Sequence, residues 1–491
     1  MSVRTEFARG SAAVSIITFL GHLVSTGLKL LISRSFGLIG FGQYALIMAF
    51  SRFFSTIIQM GYHQSVVYFI TKYRSKNDWV NVSYFFVSGI KHILMTSGLL
   101  LILLLFFKKY AFMYIHLDGG GIYSLLAISL ISSIIAINNF LSGTLRSLKL
   151  FKEQAILFTL SFPGLMVVSL LCLKLVQADA PTIHQFIFAG ILLNIVLLGL
   201  VYFFTRGKFS AEDVASTERD DIRQFSKYSM PIWLSSGLQS AARSSDRIML
   251  GIFSSLSEVG IYGAGFTFSV LFAFPLKAMG PVFQPYIVEL YTNKDYQGIN
   301  KLYNTMVRWS ALFVIPAFGA LLCFGDHLIL VFGKGFENAY PVMLILSFSQ
   351  MVSTISGLAG TMLNMTEKQK SHARINAYGF VIAIVLNLLL IPKYGALGAA
   401  IGTGITIMVT NAFRLHRLLK YYAVKTDYSV LLWLTLKFIP LAGISYWVMQ
   451  QNSMHWLILL GVYTMISGFL VYSSLTPNER NSVKIYIRKI I

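Results

Sequence analysis

Five basic side chains interrupt long apolar runs: Lys29, Arg52, Arg243, Arg247 and Lys277. A single carboxylate, Asp246, shares those four runs with them. Cations in excess over carboxylates suit an anion, because ammonium and guanidinium groups donate charge-assisted bonds to phosphate oxygens. Polar groups recur beside them at helical spacing. Ser15, Thr18, His22, Ser25, Lys29 and Ser33 follow steps of three and four, which place them on one helical face. Arg52, Ser55, Gln59 and His63 do the same, as do Ser236, Ser240, Arg243 and Arg247. Gln59, Gln239, Asn138 and Asn139 supply amides of the kind that bind hydroxyl-rich ligands. Asp246, His22 and His63 are the candidates for proton or ion coupling, the histidines because of their titration range. Asp246 reads equally well as a structural ion-pair partner of Arg247.

The elements that would position these groups are membrane helices. Of the 491 residues, 56% are hydrophobic and 12% are charged, against about 25% charged in soluble proteins. Apolar runs of about 20 residues, each long enough to cross a bilayer, recur from end to end. This excludes a soluble enzyme and a disordered chain. The net charge of +21 would otherwise point to nucleic acid, but it is explained below by topology. Cys172 and Cys323 both sit inside apolar runs and form no metal-ligand cluster, so neither metal nor cofactor is expected. The first apolar stretch, 12–33, continues without a small-residue cleavage site and reads as a membrane helix rather than a leader.

The sequence predicts an all-α polytopic protein with about fourteen spans. The spans carrying the cations are 12–33, 41–63, 229–252 and 259–284, the first, second, seventh and eighth. With both termini cytoplasmic, 26 of the 40 Lys+Arg fall on that side and 6 on the other. Basic residues are retained on the cytoplasmic side, so the excess charge sets orientation. Predicted domains are an N-terminal six-helix bundle, 1–206, a cytoplasmic linker, 207–228, and a C-terminal six-helix bundle, 229–420. An appended helix pair, 421–476, and a basic cytoplasmic tail, 477–491, follow. The tail reads as a basic segment on the leaflet surface or as a disordered end.

The two bundles show an internal repeat. Gly42-Gln43-Tyr44 matches Gly260-Ile261-Tyr262, and Met60-Gly61 matches Met279-Gly280. Six spans separate the copies, so they share an orientation and form parallel repeats. Transporters place substrate sites at such repeat interfaces. A charge facing hydrocarbon costs roughly 2.5–3.5 kcal/mol, so cations in corresponding spans of both repeats imply a hydrated, positively charged cavity that binds an anion.

Several passages resemble a known family. Ser245-Asp246-Arg247-Ile248-Met249-Leu250-Gly251, followed by Glu258-Val259-Gly260-Ile261-Tyr262, resembles the seventh-span signature of bacterial polysaccharide-unit flippases. Leu386 to Ala400, containing Ile391-Pro392-Lys393-Tyr394-Gly395, resembles the same family's span 11–12 junction. Gly40-Phe41-Gly42-Gln43-Tyr44 is similar to its opening turn. Together they point to the Wzx-type branch of the multidrug/oligosaccharidyl-lipid/polysaccharide exporter superfamily.

The resemblance implies a flippase for a polyprenyl-pyrophosphate-linked oligosaccharide, such as an O-antigen repeat unit of lipopolysaccharide. The sugar headgroup would move from the cytoplasmic to the outer leaflet of a bacterial inner membrane by alternating access. Lys29, Arg52, Arg243, Arg247 and Lys277 would then meet the pyrophosphate, and Gln59 and Gln239 the sugars. Polysaccharide polymerase machinery is a candidate partner. Three rival readings stand beside this one. A multidrug exporter of the same superfamily would favour lumenal carboxylates. A peptidoglycan-precursor flippase would also be cationic inside. A membrane-embedded glycosyltransferase or polymerase would show acidic residues in an outer loop, where Asp118 and Asp179 stand alone.

Overall fold

The computed structural model describes residues 3–74, 76–109, 121–148, 150–176, 181–206, 219–366, 368–422, 428–451 and 455–475. At some helical positions, Gln239 and Lys277 among them, only the backbone is described. Asp118, Asp179, most of the predicted linker and the basic tail lie outside the described residues. Described elements are helical throughout, with no strand. This follows from the apolar sequence, since only a helix satisfies every backbone polar group within a single segment in hydrocarbon.

Ten described helices are long and apolar enough to cross a membrane, or eleven if the bent pair Ala339–Ile355 and Ala359–Met365 is one span. This measure does not reach the fourteen expected, for two physical reasons. Helix α1 (Val3–Gln59) and helix α13 (Gln369–Tyr422) are each too long for one crossing and are broken at one residue. The breaks are Gly37, at φ 66°, and Gly395, at φ 52°, where glycine's missing Cβ permits the left-handed turn. Helix α7 (Arg219–Phe253) is not among the ten, because its charges lower its hydropathy. It starts well before the apolar run, inside the stretch that the sequence suggested was loop.

The chain divides into two compact units. The first is Met1–Gly263 with Ala383–Ala399, and the second is Ala264–Ile382 with Ala400–Ile491. In the first unit, α1 and α2 (Tyr62–Arg74), α3 (Trp79–Phe106) and α6 (Ile183–Arg206) pack around α4 (Gly121–Ser147). Helix α5 (Phe151–Val176) packs beside α1 and α6. The buried face of α4 is rich in Ser, Ala and Gly, the small residues that let membrane helices approach closely. Ser51 on α1, for example, donates to the Ile128 carbonyl of α4 at 3.3 Å.

The second unit contains α9 (Phe274–Thr292), α10 (Tyr296–Leu330), α11 (Ala339–Ile355), α12 (Ala359–Met365), α14 (Tyr428–Gln450) and α15 (Trp456–Ser474). Helix α8 (Leu256–Ser269) begins in the first unit and ends in the second. A tight turn, Val270–Ala273, links α8 to α9. Thr354 caps that interruption, donating to the Phe272 carbonyl at 2.8 Å. The appended pair α14 and α15 packs on α10. Its core gathers Cys323, Phe324, Leu459 and Tyr463, with the Tyr463 hydroxyl donating to the Pro316 carbonyl at 2.9 Å.

Candidate functional site

The first unit brings three of the five cations together. Helix α1 folds back at Gly37, so Lys29 on its first half and Arg52 on its second are carried toward one another. Helix α7 crosses the second half of α1 at this level, where the Ser240 hydroxyl donates to the Arg52 carbonyl at 3.3 Å. Lys29 lies within electrostatic range of both Arg52 and Arg247. Arg52 is also within range of Arg247 and of the buried Tyr44 phenol. Three like charges are thus held close, which water or an anion must offset in a membrane. Arg243, exposed, stands one turn before Arg247 on the same helix.

Asp246 is 4% exposed and its carboxylate is engaged. It accepts a short hydrogen bond from the Tyr262 hydroxyl, and its other oxygen accepts from the Arg247 backbone N–H at 2.9 Å. It also lies within range of the Arg247 charge. The seventh-span signature is therefore tied together internally: Asp246 comes from its first half and Tyr262 from its second. Glu258 from the same signature reaches the span 11–12 junction, where its carboxylate accepts from the Ala396 N–H at 2.6 Å. Ala396 directly follows the break at Gly395, so Glu258 caps the restarted helix.

Gln59 is buried and accepts from the Asn139 amide of α4 at 3.4 Å. The helix breaks just beyond it, at Met60 (φ 41°) and Gly61 (φ 82°), and restarts at Tyr62. His63 occupies the first turn of that restart and faces the charge of Arg146. His22 is exposed, seven residues before Lys29 on the same face. The side chains of Gln239 and Lys277 lie outside the described residues.

The two matched glycines pack against each other's segments. A Cβ built on Gly42 would overlap the carbonyl oxygen of Leu256. A Cβ on Gly260 would stand 2.6 Å from the carbonyl oxygen of Leu38. Each glycine thus packs on the carbonyl four residues before its counterpart. The relation is reciprocal. The match of Met60-Gly61 with Met279-Gly280 does not extend to the backbone, because the second copy is interrupted earlier, at Val270–Ala273.

A family model described as "Polysaccharide biosynthesis protein" matches residues 7–291, more than half of the chain. The chain belongs to this family. A second model, MatE, matches residues 231–389. Among curated relatives, the chain is 26% identical over 250 residues to "Probable low-salt glycan biosynthesis flippase Agl15" of Haloferax volcanii, covering 50% of this chain and 53% of that protein. The chain thus spans about half the length of that relative. Among solved structures it is similar to "Lipid II flippase MurJ, inward closed conformation", with a TM-score of 0.72 at 14% identity over 94% of this chain and 98% of that one. It is also similar to an inward-facing multidrug resistance MATE family transporter of the MOP superfamily, with a TM-score of 0.65 at 15% identity over 83% and 99% of the two chains. The polysaccharide biosynthesis family and the superfamily fold therefore agree with the resemblance carried by the Asp246 and Gly395 passages.

Proposed function

We propose that this family member is a flippase for a polyprenyl-pyrophosphate-linked oligosaccharide, moving the headgroup from the cytoplasmic to the outer leaflet by alternating access. The observation that carries this reading is the convergence of Lys29, Arg52 and Arg247 in the first unit. Against these three cations the local structure sets one carboxylate, Asp246, which is already bonded to Tyr262. A diphosphate diester brings about two negative charges and several acceptor oxygens, which match the cationic surplus. Arg243 and Lys277 extend the same set, and Gln59 and Gln239 serve the sugars. The inside-negative potential favours outward movement of an anion by about 2.3 kcal/mol per charge per 100 mV, so ion coupling is not an energetic requirement. Asp246 then acts mainly as an organiser of the Arg247 helix. The bacterial inner membrane with cytoplasmic termini, and coupling to a polymerase, belong to the same reading.

Export of cationic drugs is the second reading, favoured by the MatE match over 231–389. The cationic cluster opposes it, because a cationic drug would meet repulsion from three positive side chains. A peptidoglycan-precursor flippase shares the diphosphate chemistry and differs in the sugar. The test uses proteoliposomes holding a fluorescent polyprenyl-diphosphate oligosaccharide, with an impermeant quencher outside. Protein-dependent exchange between leaflets supports the proposal. Movement of a cationic dye under a proton gradient, without glycolipid exchange, supports drug export. Exchange confined to a peptidoglycan precursor supports the third.

A further inference from the structure

In the second unit, α10, α14 and α15 converge where α15 ends. Arg308 of α10 donates to the carbonyl of Ser474, the last residue of α15, at 2.7 Å. Lys437 of α14 reaches the same place and donates to the hydroxyls of Ser473 at 2.9 Å and Ser474 at 3.0 Å. Its ammonium also stands 4.3 Å from the centroid of the Trp433 ring. The hydroxyls and the ring are neutral. The partial negative charge of the helix C-terminus, about half an electron, is engaged by Arg308. Neither α14 nor α15 contains an Asp or Glu.

Trp433, one turn before Lys437, and Trp309, adjacent to Arg308, are 51% and 39% exposed. Exposed Trp side chains mark the headgroup level of a bilayer, and exposed Leu432 and Leu436 flank Trp433. A half-buried cation with neutral protein partners, held rigidly at headgroup depth and bordered by lipid-facing apolar residues, calls for a lipid phosphate. Basic pockets between membrane helices take anionic headgroups in this way.

We propose that Lys437, backed by Arg308 and the end of α15, binds the phosphate of an anionic phospholipid at this membrane face. The site is built within the second unit, uses none of Lys29, Arg52 and Arg247, and does not require the transported substrate. A polyprenyl diphosphate offers similar chemistry, so the test separates the two sources. The full-length protein is purified in detergent and titrated with phosphatidylglycerol, phosphatidylcholine or a polyprenyl diphosphate, and bound lipid is counted by native mass spectrometry.

In Lys437→Gln, affinity for phosphatidylglycerol should fall about fivefold, the attraction of one basic residue at an anionic surface. Phosphatidylcholine binding should not change. Unaltered phosphatidylglycerol binding in that variant overturns the proposal. So does a loss confined to the polyprenyl diphosphate, which would make the site a substrate contact. Should Lys437→Gln fail to fold, photoactivatable phosphatidylglycerol on the unaltered protein decides. Cross-links at 433–437 or 470–475 support the site, and cross-links elsewhere only refute it.

Discussion

The reciprocal packing of Gly42 and Gly260 makes a quantitative prediction. An alanine at Gly260 would place its Cβ 2.6 Å from the Leu38 carbonyl oxygen and 2.9 Å from Leu38 Cδ1. At Gly42 the obstacle is the Leu256 carbonyl, closer still and part of a helix backbone that cannot rotate aside. Overpacking of this kind costs about 1–3 kcal/mol. At 1.4 kcal/mol per tenfold, Gly260→Ala should shift the balance away from the conformation containing this contact by about five- to 150-fold. Gly42→Ala should lie at or beyond the upper end. Under alternating access the two passages must separate during the cycle, so the variants should favour the separated state and not simply unfold. Spin labels at Ile39 and Ser255, near the contact on either side, would report this as longer distances in double electron–electron resonance. Gly98→Ala, where a Cβ meets nothing within 4 Å, serves as the control. Unchanged distances together with unchanged glycolipid exchange in Gly42→Ala would refute the reasoning.

Other predictions concern the residues that support the cations. Tyr262→Phe removes a donor from buried Asp246 and should lower stability by about 1–3 kcal/mol, read as a drop in melting temperature; an unchanged melt means that the bond contributes nothing. Glu258→Ala exposes the Ala396 N–H at the restart of α13 and should cost about 0.5–2 kcal/mol, the range for a lost helix cap. The melt again decides, and Glu258→Gln, which keeps an acceptor, should recover part of the loss. Gly395→Ala combines a left-handed backbone with a Cβ 2.8 Å from Glu258 Cδ. It should therefore destabilise more than Glu258→Ala; the reverse order would contradict the assigned turn.

Much of the site was legible because its chemistry follows helical spacing. Lys29 could be read against His22 and Ser25, and Arg247 against Ser240 and Arg243, as stripes on single faces. What spacing cannot show is how far apart those faces lie in space, and the fold at Gly37 is what unites Lys29 with Arg52. Asp246 reads as a coupling candidate in the sequence because a carboxylate among cations invites that reading. Its bond to Tyr262 joins residues sixteen apart on different helices, which no local pattern reveals. Lys437 and Arg308 carry no signal in the sequence, since a basic residue near a span end normally extends to the surface. Only contact with Ser473 and Ser474 shows that both converge on another helix. The repeat was visible in Gly42 and Gly260 as a sequence match, but their mutual packing is a tertiary fact. The extra turns of α7 were hidden because the charged residues at 219–228 read as loop by composition although they form helix.

The central claim is that Lys29, Arg52 and Arg247 act together on a diphosphate, and leaflet exchange tests it most directly. Arg52→Ala and Arg247→Ala should each reduce exchange of a polyprenyl-diphosphate oligosaccharide at least tenfold while the protein melts as a folded species. Removal of one charge-assisted bond, worth about 1.5–3 kcal/mol, is sufficient for that loss. Normal exchange in both variants would contradict the account, because the convergence of these cations would then have no part in moving the lipid.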